Sequence, residues 1–332
     1  MKPQKLIDPN EVRIFSGSSH PQLAGDIAAY LKLPLEQTRI TRFSNDNLYI
    51  QLGASVRSRN VFIVQTLAPP VNDNLVELLM MLDIARSASA REVHAIIPYF
   101  SFARSDKKDA PRISITARLI ADLLHTAGAT HVMPMVLHSP QVHGFFSVPA
   151  DPLPSRPVFR RHFQTHDLTA TLVVAPDLGS AKAAAQFAKD LNLPVAAGNK
   201  ERISDNQVII SGLVGRSVQG FKKAIIYDDE IATGGSMLEL SRLLIKHGIE
   251  EIWVAGTHGV FVRGGLEKLA ALPQITEIVT TDTVYIPPEK RHPKLHILSV
   301  APIFGDAIRR NYLRESIGDL FIFGEDSPDG PE

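Results

Sequence analysis

The stretch IIYDDEIATGGSM, Ile225 to Met237, closes an apolar run with two adjacent carboxylates, Asp228 and Asp229. Thr233, Gly234, Gly235 and Ser236 follow almost at once. The run reads as a buried strand and the residues after Ser236 as a helix. A glycine turn entering a helix offers unpaired backbone N–H groups, and the helix dipole favours an anion there. Thr233 and Ser236 add hydroxyl donors. Each charge-assisted hydrogen bond contributes about 1.5–3 kcal/mol, so three or four hold a small phosphate ester. The carboxylates do not bind phosphate directly; they suit sugar hydroxyls or a bridging cation. The pattern points to a sugar-phosphate site, against the competing reading of a helix N-cap beside two exposed acids. Neither GxxxxGK[ST] nor a GxGxxG following a strand is present.

A loop of this kind needs a sheet to carry it, because open parallel sheets bind ligands beyond the carboxyl ends of their strands. Strand-like apolar runs do alternate with helix-length amphipathic stretches, the pattern of a parallel α/β sheet. Residues 61–66 (VFIVQT) precede a helical pattern over 74–89. Residues 93–100 (VHAIIPYF), a helix over 115–128 closed by glycine and residues 131–137 (HVMPMVL) complete the unit. The order then recurs: a strand at 224–229, a helix over 234–248 with its loop, a strand at 252–259, a helix around Gly265–Ala271 and a strand at 277–282. The offset, from residue 61 to 224, is 163 positions, close to half the chain. It suggests duplicated domains rather than a solenoid. The proline-rich ADPLPSRP, residues 150–157, marks the boundary, giving domains over 1–154 and 155–315 with a terminal segment over 316–332. The acidic, Pro- and Gly-rich ending EDSPDGPE reads as disordered.

The 332 residues suit two domains, and the formal net charge of zero lacks the basic excess of a nucleic-acid or anionic-membrane binder. No apolar run is long enough to suggest a membrane span, and MKPQKLIDPNEV lacks the apolar segment expected of a secretory signal. The absence of cysteine excludes disulfides and thiolate chemistry and fits a cytoplasmic enzyme. Among the twelve histidines no HExxH and no close pair with metal-ligand spacing is expected.

Carboxylates, Thr-Gly-Gly and a helix after an apolar strand resemble the phosphoribosyl-diphosphate loop of the type I phosphoribosyltransferase fold. From about Arg13 to Phe323 the chain resembles the ribose-phosphate diphosphokinase family. The matching stretches include PVNDNLVELLMMLDIARSASA (70–90), IIPYFSFARSDKK (96–108), LHSPQVHGFF (137–146), VVAPDLGSAKAA (173–184) and LSVAPIFGDAIRR (298–310). The resemblance implies two tandem α/β domains of that fold, each with a mainly parallel sheet flanked by helices. It implies transfer of the β,γ-diphosphate of ATP to the anomeric hydroxyl of ribose 5-phosphate, releasing AMP, with Mg²⁺. Asp228, Asp229, Thr233, Gly234, Gly235 and Ser236 would bind the ribose phosphate. Arg104, Asp106 and Lys107 would meet ATP, and Phe43, Asn45 and Asn47 occupy the segment that reaches the adenine of a neighbouring subunit. His138 and Asp177 match metal-associated positions. Lys200 and Arg202 match a basic pair on a mobile loop over the transferring phosphates. A homo-oligomer, dimers assembled into a hexamer, follows from the shared adenine site. Such residue types suit phosphoryl transfer, which is mostly positioning and charge stabilisation.

The chain also departs from the family pattern. Phe-Ser-Asp-Gly-Glu is FSNDN (43–47), Arg-Gln-Asp is Arg104-Ser105-Asp106, and an aspartate two residues before His138 is Val136. Asp-Lys-Arg-Arg is Asn199-Lys200-Glu201-Arg202, and Ala232 replaces a third acid in the phosphate loop. These changes leave open an acceptor shifted to a ribosyl 5-phosphate ester such as ADP-ribose, or a catalytically silent regulatory homologue.

Overall fold

The computed structural model describes residues 7–204 and 207–320, with backbone alone at 200–204, 207–211 and 319. The chain forms two units: the first runs to Pro154 and takes in two later segments of the chain, and the second begins at Ser155.

In the first unit β1 (Val12–Ser16), α1 (Pro21–Leu31) and β2 (Leu35–Glu36) precede a hairpin of β3 (Thr38–Arg42) and β4 (Leu48–Leu52). There follow β5 (Asn60–Val64), α2 (Val71–Ser87), β6 (Glu92–Ile97), α3 (Thr116–Ala127) and β7 (His131–Pro134). The sheet order is β2-β1-β5-β6-β7, every pairing parallel. All five residues of β5 are buried, as expected of a central parallel strand covered on both faces. Leu75, Leu78, Met81, Leu82 and Ala85 of α2 recur every three or four residues and enter the core with Ile120 and Leu124 of α3.

The second unit comprises α4 (Arg156–Phe163), β8 (Thr171–Ala175), α5 (Ala181–Asp190), β9 (Val195–Ser204), β10 (Gln207–Gly215) and β11 (Lys223–Ile231). It continues through α6 (Gly235–Lys246), β12 (Glu251–Gly259), α7 (Gly265–Ala270), β13 (Ile275–Thr281) and β14 (Leu295–Leu298). Its sheet order is β10-β9-β8-β11-β12-β13-β14, with only the β10–β9 pairing antiparallel. The central order β9-β8-β11-β12-β13 repeats that of the first unit, strand for strand. This is the α/β architecture with parallel-dominated sheets that the alternating pattern leads one to expect.

One domain expectation is corrected. The helix α8 (Ala301–Leu313), which a boundary at residue 315 would give to the second domain, belongs to the first unit. It packs on α1 so closely that a Cβ at Gly305 would run into the Tyr30 ring. The Tyr312 hydroxyl donates to Glu11 at 3.0 Å. Thr283–Tyr285 also join this unit, and the Thr66 hydroxyl donates to the Thr283 carbonyl at 2.6 Å. The ending EDSPDGPE lies outside the described residues.

Candidate active site

The strand order reverses between β8 and β11: β8 leads to β9 on one side, β11 to β12 on the other. Such a switch point opens a crevice at the carboxyl ends of the strands. β11 does not stop at its carboxylates as the sequence suggests, but runs on to Ile231. It pairs with β8 only as far as Ile226, whereas its pairing with β12 continues through Asp228 and Glu230 to Ile231. Asp228 and Asp229 therefore stand where β11 has outrun its neighbour.

Asp177 follows the end of β8 on the other side of that crevice. Its Oδ1 accepts the N–H of Gly179 at 3.0 Å and of Ser180 at 3.2 Å, tightening the turn into α5. The Asp228 carboxyl is pushed well above the usual carboxylate range by burial, then by the charge of Asp229, with a further contribution from Asp177. The Asp229 N–H, donated to Asp228 Oδ1 at 3.0 Å, opposes the rise without cancelling it. A carboxylate held under that strain gains from hydroxyl donors or a cation.

The turn from Thr233 to Ser236 is built by close backbone contact. Gly234 caps α6 at φ 72°, the left-handed region glycine enters without strain, and no side chain caps the helix. The first-turn N–H groups of Gly235, Ser236 and Met237 thus lack intrahelical partners and suit an anion. Beneath the turn, a Cβ on Gly265 would lie 2.6 Å from the Ala232 carbonyl oxygen, so the start of α7 is the floor of the loop. Thr233 and Gly235 are exposed and Ser236 half-buried.

The remaining expected site residues lie elsewhere. Arg104 ends a short turn, Ser101–Arg104, after β6; Asp106 and Lys107 follow, with Arg104 and Lys107 exposed and Asp106 half-buried. Phe43, Asn45 and Asn47 occupy the tip of the β3–β4 hairpin, where Phe43 is 53% exposed and its ring leans on Tyr49. Asp46 stands there at φ 70°, explaining how it replaces a glycine: aspartate tolerates that region, and its carboxylate pairs with Arg42 at 2.8 Å. His138 is exposed after β7, and Val136 before it has φ 42°. Lys200 and Arg202 lie on β9, paired with Ile210 and Val208 of β10. That is a hairpin strand rather than the expected loop; their side chains are outside the described residues.

Two features escaped the sequence reading. In the first unit, the corresponding switch point between β1 and β5 is occupied by a carboxylate of the chain itself. Glu77, on α2, accepts the Ser18 hydroxyl at 2.7 Å, the Ser18 N–H and Gln65 Nε2 at 2.9 Å. Glu77 had no local signal, since a helical acid among Leu and Met reads as a solvent position. The second feature corrects the histidine expectation. His162 and His166, in HFQTH, are four residues apart and meet Glu277 in one cluster; the spacing was visible, its acidic partner was not.

The fold and the loop define a phosphoribosyltransferase-like sugar-phosphate enzyme. Residues 12–128 match the N-terminal domain of ribose phosphate pyrophosphokinase, and residues 210–322 the phosphoribosyl synthetase-associated domain. A relative in Streptomyces coelicolor, provisionally named a ribose-phosphate pyrophosphokinase, is 50% identical over 94% of this chain and 98% of its own. The ribose-phosphate pyrophosphokinase of Deinococcus radiodurans is 46% identical over 93% and 97%. The crystal structure of phosphoribosylpyrophosphate synthetase from Mycobacterium smegmatis superposes with a TM-score of 0.85 at 33% identity, covering 92% of this chain and 99% of that one. The chain belongs to the ribose-phosphate pyrophosphokinase family.

Proposed function

We propose that the protein transfers the diphosphate of ATP to the anomeric hydroxyl of ribose 5-phosphate, giving phosphoribosyl diphosphate and AMP. The observation that carries this reading is identity of 46–50% to named pyrophosphokinases along nearly the whole of both chains. The second-unit crevice supports it with a loop suited to one substrate. The first-turn amides of α6, with Thr233 and Ser236, hold the 5-phosphate, while Asp228 and Asp229 accept the ribose hydroxyls. Seated in this way, the ribose presents its anomeric oxygen to the β-phosphorus. One O–P bond forms there as the bridge to the α-phosphate breaks, and AMP leaves with the bridging oxygen.

Arg104, Asp106 and Lys107 are assigned to ATP, and Lys200 and Arg202 to the charge that develops on the transferring group. The exposed Phe43 at the hairpin tip supports an adenine site completed by a neighbouring subunit, hence a homo-oligomer of dimers assembled into a hexamer. Mg²⁺ fits the oxygen donors of the crevice, where Asp228 is destabilised as an anion by burial and then by Asp229 and Asp177. Asp177 is the crevice residue assigned to it, and when bound it would supply neutralisation of phosphate charge; His138, on the first unit, is assigned separately to metal. Among the described residues no helix is long and apolar enough to cross a membrane; a cytoplasmic location, where ATP and ribose 5-phosphate are made, is part of the proposal.

Incubation with ATP, Mg²⁺ and ribose 5-phosphate, followed by phosphorus NMR, tests the reading. AMP and a 1-diphosphate are expected in equal amounts. ADP as the sole nucleotide product, or no turnover, overturns it.

A further inference from the structure

The geometry points to a second metal site, of the zinc type, formed by His162, His166 and Glu277 with His296 at its open side. His162 is the penultimate residue of α4, and His166 lies in the turn that follows. Glu277, only 7% exposed, is the third residue of β13. Its Oε1 is 2.7 Å from His162 Nε2, its Oε2 is 2.9 Å from His166 Nε2, and His296 Nε2 is 3.6 Å from Oε1. The site belongs to the amino end of its strand, whereas Asp228 and the phosphate turn lie at the carboxyl end of the parallel strand β11. It is therefore separate from the proposed reaction.

Hydrogen-bond accounting favours a cation here. His166 Nδ1 is 3.2 Å from the His162 carbonyl, which only accepts, and 3.3 Å from the Thr165 hydroxyl; in the tautomer that donates to the carbonyl, that nitrogen carries the proton. The Thr165 hydroxyl donates to the same carbonyl at 2.7 Å. His166 Nε2 then presents a lone pair to a carboxylate unless a second proton or a metal ion lies between. A ring N–H anchored on a backbone carbonyl is also the usual outer arrangement of a metal-bound histidine.

The candidate donor atoms lie within 4.8 Å of one another. A tetrahedral ion with bonds of about 2.0–2.1 Å requires donors roughly 3.3 Å apart, so the His–Glu pairs at 2.7 and 2.9 Å must open by about half an ångström while the wider separations close, both within reach of imidazole rotation. Phe163 and Trp253 wall the cluster: the His162 ring lies 5.1 Å from Phe163 and the His166 ring 5.0 Å from Trp253. His296, with its side chain 51% exposed, leaves an entry path and a fourth donor. Two or three imidazoles with one carboxylate suit zinc and its cobalt surrogate, whereas Mg²⁺ demands oxygen donors. An ion here ties α4 to β13 and β14.

The test uses the whole chain, stripped with chelator and returned to excess Mg²⁺, then titrated with Co²⁺ or Zn²⁺. One Co²⁺ per chain with intense tetrahedral visible bands is expected, and Zn²⁺ should raise the melting temperature and displace it. His166→Gln and Glu277→Gln should each weaken binding by more than about a hundredfold, beyond the 10–100-fold loss of an outer partner. His296→Ala, at a half-exposed position that folding tolerates, should weaken it about tenfold and change the band shape. Circular dichroism of each metal-free variant establishes that it is folded. Should either glutamine variant fail to fold, wild type against His296→Ala decides. Absence of the bands in wild type, or binding unchanged by every folded variant, overturns the site.

Discussion

Substituting Gly265, which is assigned no substrate contact, should impair use of ribose 5-phosphate by pushing on the loop from below. Gly265 has φ −63°, ordinary helical backbone, so Gly265→Ala introduces no torsional strain and gains helix propensity at the start of α7. Its new methyl would stand 2.6 Å from the Ala232 carbonyl oxygen and 3.0 Å from the Thr233 carbonyl carbon. Ordinary contact begins at 3.4 Å, so the first separation must open by 0.8 Å. Both atoms are backbone of the phosphate turn, so the turn moves rather than a side chain. A misplacement of about 1 Å can cost about a hundredfold in rate, so a ten- to hundredfold fall in kcat/KM for ribose 5-phosphate is expected, about 1.4–2.7 kcal/mol. The KM for ATP should change little, because its assigned residues lie on loops of the first unit. Steady-state kinetics with each substrate varied in turn, beside a thermal melt, separate a moved loop from a damaged fold. A variant that melts normally and keeps kcat/KM within about twofold would refute the claim that α7 sets the loop's position.

Further outcomes follow from particular residues. Asp228→Asn should abolish productive acceptor binding yet raise the melting temperature of the free protein. The folded carboxyl titrates above its unfolded value of 3.8, so the penalty is absent below that pH, grows as pH rises above it and levels off once the folded carboxyl has also lost its proton. The melting difference between variant and wild type should therefore widen as pH rises from about 4 and then level off; a difference constant with pH contradicts it. Glu77→Ala should destabilise the first unit by about 3 kcal/mol, because the Ser18 and Gln65 donors lose a buried acceptor; urea unfolding that moves by less than about 1 kcal/mol would count against this. Lys200→Ala should lower turnover by about a hundredfold or more, the loss typical of one key electrostatic donor, with little change in ribose 5-phosphate affinity. Near-normal turnover would remove Lys200 from the mechanism.

The residues by themselves determined much of both sheets and the phosphate turn. Strands such as β5 and helices such as α2 and α3 announce themselves because burial imposes a local period on apolar residues. Thr233 to Ser236 were legible for a similar reason, since a turn into a helix is a short-range event governed by backbone freedom and nearby donors. What the sequence could not supply was anything that depends on which distant segments meet. α8 has an ordinary amphipathic pattern, and only tertiary contacts such as the fit of Gly305 against Tyr30 and the Tyr312–Glu11 hydrogen bond assign it to the first unit. The extension of β11 past Asp229 depends on a longer partner in β12 and a shorter one in β8. Asp177 bears on Asp228 across 51 positions of chain, and Glu77 reaches Ser18 across 59. His162 and His166 were four residues apart in sequence all along, but Glu277 lies more than a hundred residues away. Charge and hydrogen bonding act over a few ångströms of space, whereas periodicity reports only on neighbours in sequence. The tertiary structure alone decides which carboxylates share a crevice and which histidines share a carboxylate.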